Sequence, residues 1–226
     1  MLMIQERQKI VEFGKQISEQ RLSKGTSGNL SIYDPQAGHM AISPSGLSYA
    51  ATTPEDIVIM DLNEHIIEGG RKPSSEYALH AAMYRYRPEA RGVVHVHSTY
   101  CTTLACLRQP LRAVHYAISG AGTDEVPCAE YATFGTPELA ENAARCIGDS
   151  RAVLLANHGL ITSGVSLERA FALAVNLEFV AEVQWRSMCA GTPVTLSSQE
   201  MEQVRAQMRV YGQKRGDSVP KDTAGY

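Results

Sequence analysis

The spacing of apolar residues along this chain changes period repeatedly, and each change marks an element. Ile10, Phe13 and Ile17 recur at helical spacing, while Glu6, Arg7, Lys9 and Glu12 interrupt any apolar run. That pattern predicts an amphipathic first helix and not a secretory leader. Residues 24–29 (KGTSGN) contain no large apolar side chain and have the composition of a turn. Short apolar stretches predict strands at residues 30–33 and 40–43, a turn at 44–46 (PSG) and a buried strand at 57–62.

A helix is predicted to open at KPSSE, with Ser74 or Ser75 as cap, Glu76 in the first turn and Pro88 as its limit. Residues 92–97 (GVVHVH) read as a buried strand, 99–107 and 137–147 as helices, and 152–156 as a core strand. From Leu167 the stretch LERAFALAVNLEFVAEVQW is apolar almost all round, the pattern of a helix that is buried or lies at a subunit interface. A last amphipathic helix covers about residues 198–209. The segment beyond, about 212–226, is polar and expected to form a flexible tail. No repeat or Pro/Ser-rich linker divides the chain, so residues 1–226 are expected to form one domain. Strands and helices mix without a βαβ rhythm, which predicts a three-layer α/β fold with a mixed, largely antiparallel central sheet flanked by helices.

Composition narrows the function more by exclusion than by indication. With 226 residues, 44% hydrophobic and 20% charged, the chain can bury a sizeable core. A net charge of −3 with interleaved signs argues against a nucleic-acid partner. No run of apolar residues is long enough to span a membrane. Cys101, Cys106, Cys128, Cys146 and Cys189 are odd in number and include no C-x-x-C pair, so they suggest thiols in a reducing cytosol.

Chemistry enters with the histidines. His95 and His97 stand two apart on a predicted strand and so project from one face, among Val93, Val94 and Val96. Two buried imidazoles are either a hydrogen-bonded core pair or ligands to one cation. A catalytic zinc takes three protein ligands and keeps an open position, and His158, at the end of AVLLAN, is the best third candidate. His80 lies four residues after Glu76 on the same helix face and could support the site from behind. KGTSGN and SPSG are small-residue turns able to present backbone donors to a phosphate, and Ser74 and Ser75 stand at a helix N-terminus. A carboxylate at Glu76 then lies beside both candidate sites, although a first-turn Glu also simply complements the helix dipole. A three-histidine ion can serve a hydrolase, a lyase or a structural role. An aldol cleavage needs an electron sink, and none of the chain's lysines sits in an apolar strand suited to a Schiff base, which leaves the metal.

GTSGN, SPSG, PSSE, HVH and NHGL occur in that order, with HYAI around Tyr116 and YATFGT around Phe134. In this ordered set the chain resembles the class II aldolase/epimerase family, from the first helix to about Tyr211, and within it the members acting on L-fuculose 1-phosphate. The resemblance implies reversible cleavage of a ketose 1-phosphate, L-fuculose 1-phosphate first, to dihydroxyacetone phosphate and an aldehyde, here L-lactaldehyde. Another deoxy-ketose phosphate, or epimerisation of a pentulose 5-phosphate, is the alternative. It further implies one Zn²⁺ per subunit on His95, His97 and His158, with Glu76 as a fourth ligand in the empty site and as the base. Gly28, Asn29, Ser45, Gly46, Ser74 and Ser75 would hold the substrate phosphate. Tyr116, from a neighbouring subunit, would act as acid, and Tyr211 would close over the site. The implied assembly is a homotetramer with active sites between subunits. Family epimerases carry Asp where Glu76 stands, and family decarboxylases carry a lysine near Ser75; both departures favour the aldolase.

Overall fold

Alternating side chains along the strands determine the architecture, because both faces of the sheet are apolar. The computed structural model describes residues 1–212, so the predicted tail from 213 onward lies outside the described residues. The strands are β1 (Asn29–Asp34), β2 (His39–Ile42), β3 (Val58–Met60), β4 (Ile66–Glu68), β5 (Gly92–Val96), β6 (Leu111–Arg112), β7 (Glu125–Val126), β8 (Cys128–Ala129), β9 (Ala152–Leu155) and β10 (Gly159–Gly164). The helices are α1 (Ile4–Glu19), α2 (Tyr77–Tyr86), α3 (Thr99–Cys106), α4 (Pro137–Ile147), α5 (Leu167–Ala190) and α6 (Ser198–Met208). Eight strands form one sheet in the order β4-β3-β2-β1-β5-β10-β9-β8, and β6 pairs with β7 separately. Every pairing is antiparallel except β8 with β9.

Residues of one parity pack into a core with α1, α3 and α5: Leu30, Ala41, Ile59, Val94, Val96, Leu154 and Leu160. Those of the other parity, Met40, Ile42, Val58, Val93, Val153, Leu155 and Ile161, pack against α2 and α4. The result is the expected three-layer α/β arrangement with a mixed, mostly antiparallel sheet. Among the described residues no helix is long and apolar enough to cross a membrane.

Most predicted elements appear within a residue or two of their expected limits. The differences have physical causes. Neither Ser74 nor Ser75 caps α2: the helix starts at Tyr77 with Glu76 at the cap position, and Ser74 Oγ accepts from the Glu76 N–H (3.2 Å) in a short local turn. The strand β10, central in the sheet, was not expected, since GLITSG carries Gly at both ends and Thr and Ser within. Pairing with β5 and β9 along both edges makes it a strand, and the helices on either side of the sheet bury its faces.

Two glycines and a buried arginine hold the layers close. A Cβ at Gly14 would lie 1.9 Å from the Tyr49 ring, so α1 rests on that ring only because residue 14 has no side chain. At Gly92 a Cβ would meet the Leu167 backbone at 2.4 Å, where β5 passes the start of α5. Arg7, 1% exposed, donates to the carbonyls of Leu2, Pro54 and Ile57 and pairs with Glu68 (2.8 Å), fastening α1 to β4.

Because backbone cannot move aside cheaply, Gly92→Ala is expected to destabilise the protein by about 1–3 kcal/mol through overpacking. The urea midpoint reads this directly, and a midpoint equal to that of the wild type would contradict the close packing of β5 on α5.

Candidate active site

Strand β5 lies between β1 and β10, and its register places Asn29 and Ile161 on either side of His95. His95 is therefore fully buried and projects, as Val93 does, toward the α2 side. His97 follows one residue beyond the strand on the same face. Its backbone N–H donates to Ser23 Oγ (2.9 Å), which ties the KGTSGN turn to the histidine strand. His158 arrives from the β9–β10 turn. There Asn157 adopts a left-handed backbone (φ 54°), the His158 N–H donates to the Leu155 carbonyl (3.0 Å), and Gly159 passes so near Val96 that a Cβ would sit 2.4 Å from its oxygen. The turn delivers the imidazole to the end of β5.

The three rings stand in a near-regular triangle. Their centroids are 4.8 Å apart in each pair, with interplanar angles of 70°, 71° and 69°. The Nε2 atoms of His95 and His97 face each other at 2.9 Å. Glu76 completes the group: Oε2 is 3.2 Å from His95 Nε2, and Oε1 is 3.5 Å from His158 Nε2. The four donor atoms all lie within 4.8 Å of one another.

Protonation follows from this crowding. Burial alone would raise the Glu76 pKa, but His95, the Asn29 amide and His158 outweigh it and hold the carboxyl well below its ordinary range. Burial opposes charge on His95, yet the Glu76 carboxylate beside it prevails and raises its pKa. His97 and His158 are both pushed down to about 4, by burial first and then by the charge on His95.

These residues fit a divalent cation. His95 Nδ1 faces the Leu160 carbonyl at 3.0 Å; its proton goes there, and Nε2 is left to ligate. Among the described residues Glu76 Oε1 is buried without a hydrogen-bond partner, an orphaned acceptor that a cation would satisfy. Imidazole and carboxylate donors suit zinc and other first-row ions alike.

The small-residue turns converge beside this cluster. The Leu30 N–H donates to Ser43 Oγ (3.1 Å), and the buried Tyr49 hydroxyl reaches both Ser43 Oγ (3.2 Å) and the Gly28 carbonyl (3.3 Å). The Ser45 N–H donates to the Lys72 carbonyl (2.9 Å) and the Ser74 N–H to the Ser43 carbonyl (3.0 Å), so SPSG lies directly against PSSE. Gly28 (φ 84°) and Gly46 (φ 70°) hold left-handed conformations at the rims of this cradle. Ser45, Gly46 and Ser75 are exposed, while Ser74 is buried. Asn29 has a second allegiance: its Nδ2 donates to Glu76 Oε2 (2.9 Å). Tyr49 and Ser23, which brace the cradle, went unnoticed in the sequence. An aromatic after a turn and a serine before one carry no signal of their own.

Tyr116 and Tyr211 lie elsewhere, on the surface of this chain, 49% and 65% exposed. The Tyr116 ring stacks on His115 (4.5 Å), and no hydrogen bond or ring contact among the described residues ties either tyrosine to the histidines.

An α/β scaffold with a buried carboxylate–trihistidine cluster beside small-residue turns has the makings of a metal-dependent enzyme. Residues 8–185 match the Class II Aldolase and Adducin N-terminal domain, most of the chain. The chain is 46% identical to a 5-deoxy-D-ribulose 1-phosphate aldolase of Bacillus thuringiensis serovar kurstaki over 214 residues, 95% of this chain and 100% of that one. It is 40% identical to an L-fuculose phosphate aldolase of Haemophilus influenzae, covering 91% of this chain and 94% of that one. A solved L-fuculose 1-phosphate aldolase superposes with a TM-score of 0.88 at 42% identity, over 91% of this chain and 96% of the other. The chain belongs to the class II aldolase family and is a metal-dependent aldehyde-lyase.

Proton linkage gives the site a measurable signature. His80, held down to about 3 by burial and the nearby His95, joins His97 and His158 below the ordinary histidine value of 6.5. As pH falls through 6.5 the unfolded chain takes up protons that these folded rings refuse until pH 3–4, so stability drops in that window. His95, shifted upward, contributes stability that is already complete below 6.5, and Glu76, shifted downward, begins to matter only below 4.5. The chelator-treated protein is therefore expected to show a lower urea midpoint at pH 5 than at pH 7; a level or rising midpoint would contradict this assignment.

Proposed function

We propose that this chain reversibly cleaves a deoxy-ketose 1-phosphate to dihydroxyacetone phosphate and a short aldehyde. The observation that carries the proposal is the Glu76 carboxylate buried among three histidines, its Oε1 without a hydrogen bond among the described residues, beside the small-residue turns SPSG and PSSE. The identity and full-length coverage of the relatives favour 5-deoxyribulose 1-phosphate, with L-fuculose 1-phosphate next.

In this reaction the phosphate rests on Gly28, Asn29, Ser45, Gly46, Ser74 and Ser75. Contacts there hold the reacting carbons in place without taking part in the chemistry. His95, His97 and His158 hold the metal, with Zn²⁺ proposed, and Glu76 joins them when substrate is absent. When bound, that ion supplies a Lewis acid that polarises the substrate carbonyl and stabilises the negative charge left when the carbon–carbon bond breaks. In the cleavage direction the C3–C4 bond breaks and the C4 hydroxyl loses its proton as the aldehyde forms. The net transfer is from the C4 hydroxyl to C3. Tyr116 of a neighbouring copy, as phenolate, takes that proton and passes it to solvent. Glu76, which picks up a proton from solvent once substrate displaces it from the cluster, delivers one to C3. Tyr211 covers the aldehyde end. The half-exposed Tyr116 is the reason to propose a homotetramer with sites between subunits: a catalytic phenol on the surface of one chain needs a second chain to complete its site. A single domain acting in a reducing cytosol accords with the free thiols.

The test is a panel of ketose phosphates with coupled detection of dihydroxyacetone phosphate, run on wild type, Glu76→Gln and chelator-treated protein. Expected are turnover restored by Zn²⁺ after chelation and a kcat about 10²–10⁴-fold lower for Glu76→Gln. No release of dihydroxyacetone phosphate from any member of the panel, or release of an epimer in its place, would defeat the proposal.

A further inference from the structure

Behind the carboxylate lies a buried polar line that runs from Asn29 through three residues that the reaction above does not use, His80, Ser31 and Tyr84. Asn29 Nδ2 donates to Glu76 Oε2 (2.9 Å), Asn29 Oδ1 faces His80 Nε2 at 2.5 Å, His80 Nδ1 faces Ser31 Oγ at 2.6 Å, and Ser31 Oγ lies 2.7 Å from the Tyr84 hydroxyl. His80 and Ser31 are completely buried, and Asn29 and Tyr84 nearly so. Asn29 and Ser31 project from alternate positions of β1, and His80 and Tyr84 lie one turn apart on α2.

Each group has one role open to it. A carboxylate only accepts, so Asn29 turns its NH₂ to Glu76 and its oxygen to His80. That oxygen also only accepts, so His80 Nε2 carries the proton. With the ring neutral, Nδ1 accepts from the Ser31 hydroxyl, whose single proton is thereby used, and the Tyr84 hydroxyl donates to Ser31. The direction of every bond is set from one end to the other.

An isolated asparagine amide can rotate by half a turn, which would aim its oxygen at the Glu76 carboxylate, lose the Nδ2 bond and repel Oε2 from its place. His80 removes this freedom. We propose that His80 is a positioning residue for Glu76: by locking the Asn29 amide it holds Oε2 in place beside His95 and leaves Oε1 turned toward His158. The inference rests on Glu76 being both ligand and base, as proposed above, and adds the group that aims it.

His80→Phe keeps an aromatic ring with neither donor nor acceptor, whereas His80→Gln keeps one of each; His80→Met replaces Phe if that variant does not fold. Removing a hydrogen-bonded outer partner of a metal site costs about 10–100-fold in affinity or activity. The apolar variant is therefore expected to bind Zn²⁺ about 10-fold more weakly against a chromophoric chelator, and to lose about 10–100-fold in kcat with little change in KM. His80→Gln should recover most of both. Equal losses in the Gln and apolar variants would make His80 a core residue and overturn the proposal, as would wild-type behaviour in both. The Zn²⁺ competition decides this even if wild type cleaves no ketose phosphate, in which case the proposed reaction fails and the positioning role is judged separately.

Discussion

Glu76 is a carboxylate removed from water, and its burial is the constraint around which the layers are arranged. Such a group is destabilising by several kcal/mol unless opposite charge and donors surround it. Here each compensating contact comes from a different part of the chain: Asn29 from β1, His95 from β5 and His158 from the β9–β10 turn. Oε1 stays without a hydrogen bond. None of these contacts exists until the sheet is paired and α2 is docked, so folding and assembly of the site are one event. A cation that binds the folded cluster therefore also stabilises the fold.

The division of the sheet faces explains where the chemistry can sit. The side facing α1, α3 and α5 is apolar along its central strands but for Thr162, which donates to the Ala170 carbonyl of α5 (2.8 Å), and the side facing α2 and α4 is interrupted by Asn29, Ser31 and His95. Helix α2 answers that polar file with Glu76, His80 and Tyr84 along one face. Because β5 has paired neighbours on both sides, the backbone that carries His95 is hydrogen-bonded along both edges. Catalytic geometry of this kind depends on side chains whose supports cannot shift, and a central strand supplies that better than a loop.

The sequence announces some of this plainly and conceals the rest for physical reasons. His95 and His97 are legible because two polar residues at strand spacing interrupt an otherwise apolar run, and helices such as Pro137–Ile147 are legible from periodicity and a Pro at the first position. Glu76 as a buried group is not, since a Glu following two serines is also an ordinary helix start. β10 escapes because its Gly, Thr and Ser have weak strand preference, and only two-sided pairing makes it a strand. The bond from Asn29 to Glu76 spans 47 positions of sequence and depends on β1–β5 register, which local pattern cannot supply. Tyr49 is in the same position, useful only because Gly14 lets α1 close over it.

Substrate choice has to be made outside the buried unit. On the proposed reaction, 5-deoxyribulose 1-phosphate and L-fuculose 1-phosphate present the same phosphate end and the same carbonyl, so the histidines, Glu76 and the small-residue cradle meet identical atoms in both. The difference lies in the aldehyde: acetaldehyde from the first, and from the second lactaldehyde, which adds a hydroxyl and a methyl-bearing carbon. A pocket wall that merely makes room for one extra carbon discriminates by about 1–3 kcal/mol, whereas a site built to hydrogen-bond the added hydroxyl can reject its absence by about 10⁴–10⁵-fold. Strong selection for L-fuculose 1-phosphate therefore requires a polar group dedicated to that hydroxyl, and in the buried cluster the His80 and His95 ring protons and one Asn29 amide proton are already committed. The surface tyrosines, Tyr116 and Tyr211, carry hydroxyls able to serve. Specificity then belongs to the exposed rim and to whatever neighbour covers it, and can drift between related aldehydes while the buried carboxylate and its supports stay as they are.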